Sequence, residues 1–197
     1  MNIGLIGQEI PPPAGGLERR VQDCADGLAR RGCRVRVLSI VGEGSGLPGD
    51  EVLYQPGRSP IQVHRTSVPG ADGPGPGLTA GACRGLAPHW CTLLADADVV
   101  CSFGATPALA GAEIRRRLEL PFIAVLPDPP RPSDARFREV LGCGADLLVG
   151  LSRSHLCVLA GGGLGRRESV RRAFPLRAQT DRSLQLFSSI TAARAAA

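Results

Sequence analysis

Lysine is absent: all 23 basic residues are arginine, and the formal charge is +5. A GC-rich coding region explains that bias without any function. An arginine-rich surface still attracts phosphates or an anionic membrane face. Aromatic residues are scarce, at 4%. That excludes a platform on which bases stack, and neither zinc-finger spacing nor a basic region with heptads is present, so nucleic acid is not the expected partner. The seven cysteines, at 24, 33, 83, 91, 101, 143 and 157, include no CxxC pair, and their number is odd. They read as small buried hydrophobes in a reducing compartment rather than a disulfide frame or a zinc site. "MNIGLIGQ" lacks the charged start and long apolar stretch of a secretory leader, and no run is long enough to span a bilayer. The expected location is cytoplasmic, with a peripheral contact at the inner membrane face left open.

Two nucleotide-binding signatures are also missing. Without GxxxxGK[ST] the chain is not a P-loop protein. Gly4 and Gly7 have the wrong spacing for a dinucleotide fingerprint, and the second apolar run ends in Ile40 and Val41 rather than an acid. An NAD enzyme is disfavoured.

What is present is an α/β rhythm. With 197 residues and 43% hydrophobic content the chain supports one domain with a core. Asn2 to Gly7 reads as a buried strand. Leu17, Val21, Cys24, Ala25 and Leu28 line one face of a helix, with Arg30 and Arg31 expected in its last turn and Gly32 as its stop. "CRVRVLSIVG" follows as a strand. Residues 42 to 80 are dense in Gly and Pro around one strand, "IQVHRTSV", with "EVLYQ" as a weaker second. Helices are expected at 78–95, 105–118, 133–141 and from 154, and strands at 98–103, 121–128, 146–152 and 168–174. The alternation predicts a single Rossmann-like, doubly wound, mostly parallel sheet over 1–175, with Ile3 to Ile6 central. Residues 176–197 form a tail with one helical patch, around Leu184 to Ile190.

Ligands of such sheets sit beyond the carboxyl ends of the strands. The loops there run from Gln8 to Gly16, after Val41, from Ser102 to Thr106, from Pro127 to Asp134 and from Ser152 to Ser154. The first is "QEIPPPAGG". Three prolines stiffen it, and Gly15 and Gly16 bare the backbone where a helix begins, which favours an anion such as phosphate. A simple turn would account for the glycines alone. His64 reads as a surface residue rather than a ligand, His89 in a helix and His155 near a helix start show no partner in sequence, and Arg166, Arg167, Arg171 and Arg172 read as a solvated basic face rather than a phosphate clamp.

The stretch "IGLIGQEIPPPAGGLERRVQDCADGLARRGCRVRVLS" resembles the opening of the family 4 glycosyltransferases, which commonly read P…GGxER, a helix, then RGHxVxV. Gly15, Gly16, Glu18, Arg19, Ala25, Leu28, Arg31, Gly32, Val35 and Val37 fall in place. "ADVVCSFG", "PFIAVLPD" and "ADLLVGLSRSHLCVLAGGG" are similar to later family segments. The resemblance implies the acceptor-binding amino-terminal half of a GT-B glycosyltransferase. It places Gly15, Gly16 and Glu18 at the donor phosphates, in the cleft between two domains. It makes Ser102, Phe103, Gly104, Asp128, Ser152 and Arg153 candidates for the acceptor side, with Asp128 the candidate catalytic group. It implies a nucleotide-sugar donor, an acceptor, a second domain or partner chain, and no metal or other cofactor.

The departures are specific. Cys101, Ser102 and Phe103 stand where the family has a histidine-containing turn, Pro127 stands where a histidine often precedes Asp128, and Cys33 replaces the histidine of RGH. Nothing resembles the family's donor-binding half. The expected protein is therefore incomplete as an enzyme, the alternative being a non-catalytic α/β ligand-binding or partner module.

Overall fold

A computed structural model describes residues 1–8, 16–42, 46, 49–54, 56–68, 80–126, 142, 144–150, 185, 187–189 and 191–192. The helices expected at 133–141 and from 154, and the strand at 168–174, lie outside them.

In chain order the elements are β1 (Asn2–Gln8), α1 (Gly16–Ala29), β2 (Arg34–Val41), β3 (Asp50–Leu53), β4 (Ile61–Ser67), α2 (Ala80–Leu93), β5 (Val99–Phe103), α3 (Ala105–Leu118), β6 (Phe122–Leu126) and β7 (Leu147–Gly150). One sheet takes the order β3-β4-β2-β1-β5-β6-β7, so β1 lies at its centre as expected. Every neighbouring pair is parallel except β3 with β4.

The apolar runs are buried because both faces of the sheet are covered. On one face Ile3, Leu5, Val35, Val37, Val99, Cys101, Ile123 and Val125 pack with Val21, Ala25 and Leu28 of α1 and with Phe187. On the other, Ile6, Leu38, Ile40, Val100, Phe122 and Ala124 pack with Trp90 and Leu94 and with Ala108, Ala110 and Ile114 of α3. Odd and even residues thus serve different layers, the period of two that a strand imposes. Trp90 is fully buried, and its indole N–H donates to Thr66 Oγ1 at 3.0 Å, which ties α2 to β4.

Helix ends follow local chemistry. α1 closes at Ala29, so Arg30 and Arg31 lie just past it rather than in its last turn. Gly32, at φ 79°, reverses the chain there. Arg31 still serves the helix end, its guanidinium donating to the Gly27 carbonyl at 2.9 Å. α3 spans the expected residues and stops at left-handed Glu119, whose amide donates to the Arg115 carbonyl at 2.7 Å.

Candidate functional site at the carboxyl edge of the sheet

β1 leads through α1 to β2 on one side, while α2 brings the chain to β5 on the other side of β1. The connections therefore diverge between β1 and β5, and the crevice at their carboxyl ends is the switch point where open α/β sheets place ligands. The register sets Ile6 beside Ser102 at that end.

Two helix starts flank the crevice, one on each face of the sheet. α1 begins at Gly16, where the glycine pair led the sequence to expect it, with Glu18 in its first turn. Gly15 lies outside the described residues. The other start is α3. Its cap residue, Gly104, has φ 105° and ψ 167°, a conformation open in practice only to glycine. No side chain caps this helix, and no acid lies in its first turn. The Gly104 amide donates to the Val125 carbonyl at 2.8 Å, and its own carbonyl accepts from Ala108 at 3.1 Å.

Ser102 is 0% exposed, and its hydroxyl oxygen has no hydrogen-bond partner. It has the same parity on β5 as Val100, which places it on the sheet face covered by α2 and α3. Phe103 points the other way and is packed into the α1-side core. Of the expected acceptor residues, Ser102 and Gly104 come together at the start of α3. Asp128, Ser152 and Arg153 lie outside the described residues.

Sequence reading missed a polar row on the α1 side. Pairing sets Gly7 beside Ser39 and Ser39 beside Arg65, near the carboxyl edge. Ser39 is fully buried. The Arg65 side chain is 1% exposed, and its guanidinium donates to Glu51 Oε2 at 2.7 Å. The available signal was Arg65 itself, which shares a strand face with Ile61 and Val63 and so puts a charge where the pattern asks for an apolar residue. His64, on the opposite face, bonds Asp50 through Nδ1 at 2.8 Å.

Neither Cys24 nor Cys101 is primed as a nucleophile. Desolvation, with a smaller contribution from Asp23, pushes the Cys24 thiol up to about 12, and burial holds Cys101 well above the usual thiol range. Cys24, Cys33, Cys91 and Cys101 are free thiols. Among the described residues no group of three or more His, Cys, Asp or Glu is placed to hold a metal ion. No described helix is long and apolar enough to cross a membrane.

No curated protein sequence matches the chain. Solved structures share its fold. A short chain of sucrose-phosphate synthase from Thermosynechococcus elongatus superposes with a TM-score of 0.64 at 12% identity, over 96% of this chain and 99% of that one. A longer chain of that synthase gives 0.59 at 14% identity, with 87% of this chain covering 47% of the synthase. Anabaena Alr3699/HepE in complex with UDP and glucose gives 0.58 at 18% identity, over 87% of this chain and 43% of that protein. The chain thus spans less than half the length of these last two. At such identities the likeness establishes the fold, an α/β sheet matching GT-B glycosyltransferases. The family model of the glycosyl transferase 4-like domain matches residues 15–188, so the chain belongs to the glycosyl transferase 4-like domain family.

Proposed function

We propose that this glycosyltransferase-like domain is the acceptor-side half of an enzyme that moves a sugar from a nucleotide-sugar donor to an acceptor, working with a donor-binding second domain or partner chain. The family match over residues 15–188 carries the reading. It is supported by two helix starts bordering one crevice, at Gly16 and at Gly104. A fold neighbour described with UDP and glucose, of which the chain covers 43%, fits the same role.

In this reading Gly15, Gly16 and Glu18 face the donor phosphates, where bare backbone and the positive helix end favour an anion. Ser102, Gly104, Asp128, Ser152 and Arg153 form the acceptor side, with Asp128 the candidate catalytic group. No metal or other cofactor is required. The Rossmann-like body runs over 1–175, and the tail 176–197 contributes Phe187 to the α1-side core. The setting is the cytoplasm, and the arginine-rich surface suits a peripheral membrane contact.

A transfer assay with several nucleotide sugars tests this. The purified chain alone should not turn over, and activity should appear once a donor-binding half is supplied. Robust turnover by the chain alone would refute the division of labour. One observation favours a non-catalytic binding module instead: the β5-to-α3 junction 101–106, "CSFGAT", offers no side chain that exchanges a proton near neutral pH apart from a thiol held in its protonated form by burial. Failure of transfer with every donor-binding half, alongside retained ligand binding, would decide for that module.

A further inference from the structure

We propose that β3 is a docking edge for a second copy of this chain, the two β3 strands pairing antiparallel about a two-fold axis at Val52. The inference stands apart from the functional reading above.

β3 is the outermost strand on its side of the sheet, and it pairs with β4. The ladder sets Asp50 opposite His64, and one step beyond it the Arg65 amide donates to the Gly49 carbonyl. Bonded residues alternate along an antiparallel ladder. Gly49, Glu51 and Leu53 therefore turn their main-chain groups to β4, while Asp50, Val52 and Tyr54 turn theirs to the open edge. Such a row of N–H and C=O groups is a template for another strand. The large hydrophobic side chains exposed among the described residues are Met1, Val52 and Tyr54, and the last two belong to this edge, at 43% and 78%. The Asp50 side chain beside them is 80% exposed, so nothing described overhangs the approach.

Charge and register select the occupant. Asp50 and Glu51 make the strand acidic, and like charges set directly opposite one another repel. A two-fold axis at Glu51 would oppose the two Glu51 carboxylates. An axis at Leu53 would put Pro56, which has no N–H, opposite Asp50. An axis at Val52 does neither. Val52 then meets Val52 of the second copy, each Asp50 meets the other copy's Tyr54, and each Glu51 meets the other copy's Leu53. The outward residues are the bonded ones in this alignment and exchange about six main-chain hydrogen bonds. The contact is isologous and closed, so it stops at a dimer. One short strand buries less than the about 1,200–2,000 Å² of a standard interface, and the dimer therefore dissociates on dilution. β4 and β2 separate this edge from β1, which keeps the contact away from the crevice.

Sedimentation of the full chain over a concentration series tests the proposal. The average mass should climb from 20.5 kDa toward twice that value. Val52→Pro removes an N–H that β4 does not use, and Val52→Arg opposes like charges at the axis. Each should weaken the dimer about tenfold. Val52→Arg should leave the melting temperature of the dilute monomer unchanged, because the side chain is exposed. Tyr54→Asp sets a carboxylate opposite the other copy's Asp50, twice by symmetry, and should weaken the dimer to a similar degree. Adding Asp50→Lys to the same chain should restore it.

A chain that stays at 20.5 kDa at every concentration would overturn the proposal, whether its edge is then bare or taken by an extended segment of another protein. A dimer that survives both Val52 variants would overturn it as well, because the contact would lie elsewhere. So would loss in Tyr54→Asp without rescue by Asp50→Lys, which excludes the register about Val52. None of these outcomes depends on sugar transfer.

Discussion

At the scale of the residue, the most consequential group after the glycines is Arg65. Its charge is buried, while its partner Glu51 is 37% exposed, so the two halves of the pair are unequal. Removing Glu51 leaves a desolvated cation short of an acceptor. Removing Arg65 leaves a carboxylate that water reaches. Glu51→Ala should therefore lower stability by about 1–3 kcal/mol, the scale of a hydrogen bond lost from a buried charged group. Arg65→Met should cost less, because an apolar side chain fits a layer already built from Ile61 and Val63. Urea midpoints of the two variants check the order, and an Arg65→Met midpoint below that of Glu51→Ala would contradict it.

At the scale of the element, α3 packs closely on β6 at Gly111. A methyl added at Gly111 would run into the Phe122 ring, which is fully buried and has little room to turn. Overpacking of this kind costs about 1–3 kcal/mol, against about 1 kcal/mol gained by removing a glycine from a helix interior. Gly111→Ala should be a net loss, read as a lowered melting temperature, whereas propensity alone would raise it. The exposed side of α3 supplies a pH prediction. Hydrogen bonds from Arg116 and then Arg117 lower the Glu113 carboxyl from 4.5 to about 2. A depressed acid stabilises the fold above its unfolded value, and that contribution disappears as pH falls through the folded value. The loss in this protein should thus fall between about pH 4.5 and pH 2. Each pair is of the surface kind, about 0.3–0.5 kcal/mol. Glu113→Gln should be slightly less stable at neutral pH, with the gap closing as pH falls from about 4.5 through about 2, as stability curves against pH will show.

Elements were legible in the sequence wherever one rule sufficed. α3 runs over the residues expected of it because Gly104 and the triple arginine bracket it, and β1 is central because its run is apolar on both faces. β3 was harder: Asp50 and Glu51 give it the look of a loop, and its antiparallel pairing with β4 is a non-local fact. The site divides the same way. Gly16 was readable as a helix start, and Ser102 as a strand end. The backbone angles of Gly104 were not, because glycine permits them without demanding them. The row Gly7, Ser39, Arg65 depends on the register of three strands, which no local pattern encodes.

At the scale of the whole molecule, the two cores are separate layers that share one sheet. Each strand of the sheet's centre contributes to both: Ile3 and Leu5 to the α1 side and Ile6 to the other, Cys101 to the α1 side and Val100 to the other. Opening one layer strips packing from strands on which the second depends, so the layers should not melt apart. Two reporters already sit one to a side. Trp90, the single tryptophan, is buried under the α2 and α3 layer, and Cys101 is buried in the α1 layer. Tryptophan fluorescence and peptide-resolved labelling of Cys101, followed through one urea titration, should give the same midpoint. Cys101 labelling at lower urea than the fluorescence change would mean that α1 and its glycine loop detach first, and the crevice would then be a joint between two independently stable layers rather than an edge of one cooperative sheet.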